Sequence, residues 1–264
     1  FFFLLFFISP FFFFFFLLIS SGASLGATLA ILLGVGVIFG GNYVGVTACI
    51  GAFAISIAVV GLANIGGRAT SVKLLLAGMA LSALCSAFSS CVVYFSNDRD
   101  ATREVSFWMM GSLAGAEWET NAVILPLTVL GVLFFWTQHR TLNLMLLGDE
   151  ASITLGIDLH LYRQVYLLVS SVLVGFAVYC AGVIGFVGLV IPHVVRMLVG
   201  TDHKKLVPLS ALTGAVFLIW ADVLCRAVIP GVELPIGILT SIIGAPCFIY
   251  LMARRRYGFG GNEA

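Results

Sequence analysis

The stretch Tyr43–Ala63, YVGVTACIGAFAISIAVVGLA, carries no charged side chain. It matches the roughly 20 apolar residues that cross a bilayer as a helix. Its apolar side chains run continuously, without the alternation of a membrane strand. In hydrocarbon the backbone can satisfy its polar groups only in a helix or a closed barrel, so the run predicts a membrane helix. The same composition extends outward in both directions. Hydrophobic residues make up 61% of the 264-residue chain and charged residues 9%, where a soluble domain carries about 25% charged residues. The predicted fold class is all-α, a polytopic transmembrane helical bundle.

Seven more apolar segments are predicted, over Gly22–Phe39, Leu74–Phe95, Ala122–Thr137, Val165–Gly182, Gly185–Val199, Leu206–Val228 and Pro235–Ala253. Gly and Pro recur inside them, as in closely packed membrane helices. Ahead of them, Phe1–Phe16 is nearly all Phe and Leu, broken at Ile8, Ser9 and Pro10. It has no basic leader and no small-residue cleavage site, so it does not read as a signal peptide. Its apolar content suits a further span, which makes about nine. The chain divides into a Phe-rich segment (1–19), a transmembrane domain (20–256) and a short tail (257–264).

Positive charge concentrates on the cytoplasmic side of membrane proteins. With alternating spans and Arg254, Arg255 and Arg256 placed inside, Arg68, Lys73, Arg140, Arg163, Arg196, Lys204 and Lys205 also fall inside. Arg99, Arg103 and Arg226 fall outside, with Asp98, Asp100, Glu104, Glu117, Glu119, Asp222 and Glu233. The expected location is the cell (cytoplasmic) membrane, with the C-terminus in the cytoplasm.

The longest polar interval, Gln138–Arg163, keeps a helix-compatible apolar spacing through Leu142, Met145, Leu146, Ile153, Leu155 and Leu159. Asp149 and Glu150 suit a helix start, where the dipole favours acids. Gly148 and Gly156 punctuate the interval, predicting two short helices with a turn near Gly156. Such a pair can rest on the bilayer or dock a cytoplasmic partner. Its few basic residues weigh against the bilayer.

Other residues admit plain accounts. Pro192 bends its helix, His193 makes a structural hydrogen bond, and Arg196 snorkels to the inner interface. Thr70 and Ser71 suit a helix cap. FWMMGSLAGAEW, 107–118, predicts a short helix at the outer mouth, where Phe107, Trp108 and Met109 can pack against the bilayer interface. Asp222 and Arg226, four residues apart, suit an ion pair. The six cysteines, Cys49, Cys85, Cys91, Cys180, Cys225 and Cys247, lack metal-site spacing and read as small buried hydrophobes. A net charge of +1 gives no reason to expect a nucleic-acid partner, and no metal site is expected. An ion-coupled secondary transporter would place charges mid-membrane, and an intramembrane enzyme would need a motif such as HExxH. The spans offer neither.

Several phrases together carry a resemblance. SSGASLGA, LLLAGMALSALCSAFSS, FWMMGSLAGAEW, GDEASITLGI, AGVIGFVGLVIPHVVRMLVGTDHKKLVPLSALTGAVFLIWADVLCR and ELPIGILTSIIGAPCFIYLM resemble the FecCD/BtuC-like permease family of ABC importers. That family takes up iron-siderophores, haem or cobalamin, and the resemblance covers about Ser20 to Arg256. It carries two spans ahead of the SSGASLGA phrase, so ten are its expectation. The resemblance implies a type II importer permease paired with an identical or paralogous second permease subunit. Two cytoplasmic ATPase subunits, holding ATP-Mg, would drive it, and an extracytoplasmic binding protein would deliver the cargo. The permease would perform no chemistry and bind no cofactor, and the commonest implied cargo is a ferric siderophore. Residue by residue, Gly148, Asp149, Glu150, Ala151, Leu155 and Gly156 match the ATPase-coupling segment. Thr70 and Ser71 match the loop that narrows the cytoplasmic end of the path. Phe107, Trp108, Met109 and Ser112 fall beside the outer path. Arg226, oriented by Asp222, matches an Arg that meets an acid of the binding protein.

Overall fold

A computed structural model describes residues 10–40, 42–65, 67, 69–96, 98–228 and 234–254. Among these residues every regular element is helical. In chain order they are α1 (Pro10–Leu33), α2 (Tyr43–Asn64), α3 (Ser71–Phe95), α4 (Arg99–Met110), α5 (Trp118–Thr137), α6 (His139–Met145), α7 (Asp149–Thr154), α8 (Leu159–Ala181), α9 (Val187–Val199), α10 (His203–Ala227) and α11 (Ile236–Arg254). Five, α2, α3, α5, α8 and α10, are long and apolar enough to cross a membrane. Shorter apolar stretches lie at Leu18–Leu33, Val187–Val199 and Ile236–Leu251. The expected residues Phe1–Ser9, Arg68, Pro230, Gly231, Glu233, Arg255, Arg256 and the tail fall outside the described set.

Three expectations about elements change. From Pro10 onward the Phe-rich stretch is the start of α1, which runs through Ser20 without a break. The described residues therefore hold eight apolar helices where about nine were expected. The first ends at Leu33, and a single 3-10 turn at Val37–Phe39 occupies what looked like its continuation. The third change is in α9. Its 13 residues rise about 1.5 Å each, giving roughly 20 Å, short of a 30 Å hydrocarbon core. The segment before it, 182–186, is non-helical and carries Ile184 into the core, with Val183 packed against it. Irregular backbone at membrane depth is tolerated where protein surrounds it.

Side chains begin several helices. Thr70 accepts from Lys73 N–H, Asp98 from Asp100 and Ala101 N–H, Asp158 from His160 N–H, and Asp202 from Lys204 N–H. Each satisfies donors that a first turn leaves orphaned. Packing rests on small residues. A Cβ on Gly22 would stand 2.7 Å from the Gly51 carbonyl oxygen, so α1 and α2 cross backbone to backbone, with Ala23, Ala27, Ala48 and Ala52 buried beside them. Lipid tails give helices no hydrophobic reason to associate, so such close van der Waals contact holds the pair.

Contacts between chain ends fix the topology. Asn64, Ala69, residues 136–164 and residues 202–204 meet at one end, through Gln164–Asn64, His160–Ala69, Trp136–Lys204 and Asn143–Asp202 hydrogen bonds. At the other end Ile236 N–H donates to Gly111 O and Ser112 N–H to Ala181 O. This is the alternation that the charge pattern predicts.

Candidate functional site

The end that gathers Lys73, Arg140, Arg163, Lys204 and Lys205 also carries α6 and α7. The chain leaves α5 through Gln138, turns at once into α6, and reaches α7 after Leu146–Gly148. Asp149 opens α7, as its acidic character suggested. The turn between the two short helices lies at Gly148, however, and Gly156 separates α7 from α8. Both glycines have positive φ, 87° and 82°, a region costly for residues with a Cβ. Neither would meet a neighbour through an added Cβ, so backbone conformation alone demands them.

Ser152, absent from the residues singled out in the sequence, holds α7 to α6. It is fully buried, and its hydroxyl lies 2.8 Å from Gly148 O and 3.1 Å from Leu144 O, where it donates. With the pair pinned, Leu147, Ile153 and Leu155 are left exposed. Ala151 is half-buried.

A second anchor ties α6 to α10. Asn143 donates from Nδ2 to Asp202 Oδ1 at 3.0 Å and accepts from His203 N–H at 3.0 Å. His203 is fully buried. Trp136 Nε1 donates to Lys204 O at 3.0 Å. The Asn143 amide, then the Lys204 backbone N–H, hold the Asp202 carboxyl below the usual carboxylate range. Asn143 and Asp202 stand 59 positions apart, so no local pattern announces their pairing.

Thr70 and Ser71 begin α3 at this same end, and Thr70 caps it, its Oγ1 accepting from Lys73 N–H at 3.3 Å. A cavity of about 130 Å³ lies between this loop and the short helices, lined by Ala69, Thr70, Ile153, Asp158, Leu159, His160 and Arg163. Thr70 and Ile153 of α7, far apart in sequence, thus line one small space, which none of the residues expected to couple lines.

The outer residues disperse. The helix at the outer mouth is α4, which Asp98 starts at Arg99 and Gly111 ends, so SLAGAEW, expected to be helical, is mostly loop. Phe107 is half-exposed, with the Arg103 guanidinium 5.4 Å from its ring centre. Trp108 turns inward and packs on the core. Met109 borders a cavity of about 480 Å³ beside Ser21, Ser24, Thr28, Ser86, Ser89 and Tyr94. Ser112 lies in the loop. Near the outer end of α10, Arg226 Nε donates to Asp222 Oδ2 at 2.9 Å, the ion pair their spacing suggested. His193 contacts Leu189 O through Nδ1 at 3.2 Å. Among the described residues no three His, Cys, Asp or Glu side chains gather as metal ligands.

The model of the FecCD transport family matches residues 16–254. The chain is 44% identical over 215 residues to the hemin transport system permease protein HmuU of Yersinia pestis, covering 80% of this chain and 63% of that one. It is 41% identical over 236 residues to the cobalamin import system permease protein BtuC of Halobacterium salinarum, covering 89% and 62%. The vitamin B12 import system permease protein BtuC of Salmonella typhi is 38% identical over 235 residues, covering 89% and 71%. The chain thus spans less than two thirds of the length of the first two relatives. A solved structure described as an inward-facing metal-chelate type ABC transporter aligns with a TM-score of 0.80 and 32% identity, over 91% of this chain and 75% of that one. A family match across nearly all of its length and an all-helical fold that aligns with that transporter agree: the chain belongs to the FecCD transport family.

Proposed function

We propose that this chain is the membrane-spanning permease subunit of a binding-protein-dependent ABC importer whose cargo is a ferric siderophore. The observation that carries the reading is the α6–α7 pair. Its Leu147, Ile153 and Leu155 are 60%, 65% and 59% exposed at the cation-rich end. Apolar side chains clustered on a rigid, water-facing element mark an interaction surface, and an ATPase groove would cover them. In this reading α6 and α7 seat one of two cytoplasmic ATPases, which hold ATP-Mg and do the hydrolysis. A second permease subunit completes the path, Thr70 and Ser71 narrow its cytoplasmic end, and Phe107, Met109 and Ser112 border its outer mouth. Asp222 and Arg226 meet the extracytoplasmic binding protein, and the C-terminus lies in the cytoplasm.

A second reading of the cargo, haem or cobalamin, is favoured by the similarity to the hemin permease of Yersinia pestis and the cobalamin permease of Halobacterium salinarum. Uptake separates the two. Cells lacking the gene are given a radiolabelled ferric siderophore, haemin or cobalamin, with and without the gene restored. The expected result is ATP-dependent recovery of ferric siderophore uptake. Recovery of haemin or cobalamin alone moves the cargo to the second reading. Recovery of uptake that collapses with the ion gradient and ignores ATP would sink the importer itself.

A further inference from the structure

We propose that His160 is a positioning residue, the strut through which the α6–α7 pair holds the loop ahead of α3. The inference rests on the coupling and narrowing roles proposed above and names the side chain that joins them.

Its backbone is set by the short helices. Only Leu155–Asp158 separate α7 from α8, and the Asp158 carboxylate caps α8 by accepting from His160 N–H at 3.0 Å. A displacement of α7 therefore carries His160 with it. The imidazole reaches across to the other loop, where Nδ1 lies 3.1 Å from Ala69 O. Ala69 is buried and directly precedes Thr70, the cap of α3.

The surrounding hydrogen bonds select one tautomer. A carbonyl oxygen only accepts, so Nδ1 carries the proton and Nε2 keeps its lone pair. Nε2 then accepts from Gln164 Nε2 at 3.3 Å. The same amide nitrogen donates to Asn64 Oδ1 at 3.0 Å, and Asn64 Nδ2 donates to Val60 O at 2.8 Å. Each donor has an acceptor. The first turn of α8 is thereby fastened on both sides of the loop, to the last turn of α2 at Asn64 and to Ala69 at the start of α3.

Among the described residues, packing between α7 and Ala69–Thr70 is not close. The cavity of about 130 Å³ between Ile153 on α7 and Ala69–Thr70 leaves a gap where close-packed side chains would otherwise transmit a push. What crosses beside that gap is the His160 imidazole.

The test uses the complete transporter, with its ATPase and binding protein, in membrane vesicles. Thr70→Cys reports the loop through cross-linking between the two permease subunits in the presence and absence of ATP. His160→Ala is expected to keep ATPase association and hydrolysis, to lose the nucleotide dependence of the cross-link, and to lower uptake about tenfold, the scale of one hydrogen bond. His160→Asn, whose amide N–H can stand near the Nδ1 position, is expected to restore both readouts. Gln164→Leu leaves the ring and its bond to Ala69 O but unfastens α8 from Asn64 of α2, and is expected to weaken the nucleotide response. An undiminished nucleotide response in His160→Ala overturns the proposal. So does failure of His160→Asn to recover it. If His160→Ala does not assemble, a wild-type response in Gln164→Leu has the same force. The reading beneath fails differently: a Thr70→Cys cross-link insensitive to ATP with His160 in place removes the narrowing role.

Discussion

Asp202 serves two partners with one carboxylate oxygen. Oδ1 accepts from Asn143 Nδ2 and from Lys204 N–H, so the same atom starts α10 and anchors α6. Both bonds favour the charged form, which is why the carboxyl sits below the value of about 3.9 usual for an unperturbed Asp. The sign follows from that direction. A carboxyl depressed in the folded state contributes stability above its unfolded value and loses it as pH falls through the folded one. Asp202→Ala should therefore lower the melting temperature of the detergent-solubilised protein at pH 7, and the gap to the wild type should narrow below about pH 4. A gap that stays constant from neutral pH down to pH 3 would mean that charge is irrelevant there. Half of this was open to the sequence. Asp158 and Asp202 each stand before an apolar run, an ordinary N-cap signal. The other half was hidden, because Asn143, His160, Gln164 and Ser152 owe their roles to partners whose proximity only the fold creates.

At the scale of elements, α7 is the part with the least reason to exist alone. Six residues are far below the length at which an isolated helix holds in water. It persists because Ser152 bonds it to α6 and because Gly148 and Gly156 turn the chain sharply at both of its ends. The sequence disclosed two short helices here, yet misplaced the turn between them at Gly156, since each glycine alone punctuates equally well. The same ambiguity misplaced the outer helix. The apolar phrase at 107–118 drew attention, while Asp98 had already fixed the start of α4 at Arg99, well ahead of Phe107. α7 also carries a prediction. If Ile153 and Leu155 fill an ATPase groove, burying each contributes about 1.5–3 kcal/mol. Ile153→Asp with Leu155→Asp should then weaken ATPase association on the order of 100-fold or more, read by titrating ATPase onto permease in nanodiscs. Ser152 should keep α7 in place throughout, so circular dichroism should not change. Unaltered affinity would return these side chains to the bilayer account.

Across the whole molecule, charge is divided between the two ends of the same helices. α10 begins at His203, against the inner pair, and carries Arg226 in its last turn; its 25 residues span roughly 37 Å at 1.5 Å each. That division was legible early, because charge asymmetry is a property of loops and survives errors in the exact ends of spans. The shortness of α9 was legible too, since Gly185–Val199 was already the shortest expected segment; only its start, at Val187, was missed, because Gly182–Phe186 is as apolar as the helices around it. The outer end supports the most specific prediction. Arg226 is one of few cations there, 48% exposed, and its Nε bond to Asp222 holds the side chain extended beside the surface. As an isolated exposed pair it contributes only about 0–1 kcal/mol. If a carboxylate of the binding protein covers it, the pair loses water, and removing one member of such a pair costs about 2–5 kcal/mol. Arg226→Glu should thus weaken binding-protein association by about 30-fold or more while permease abundance holds. An acid-to-Arg change on the binding protein should recover part of the loss. Asp222→Asn should cost less, because it releases the guanidinium without reversing its charge. The decisive measurement is made at low salt, where screening is weakest. An Arg226→Glu permease that still binds at wild-type affinity there would leave Arg226 with no role beyond neutralising Asp222.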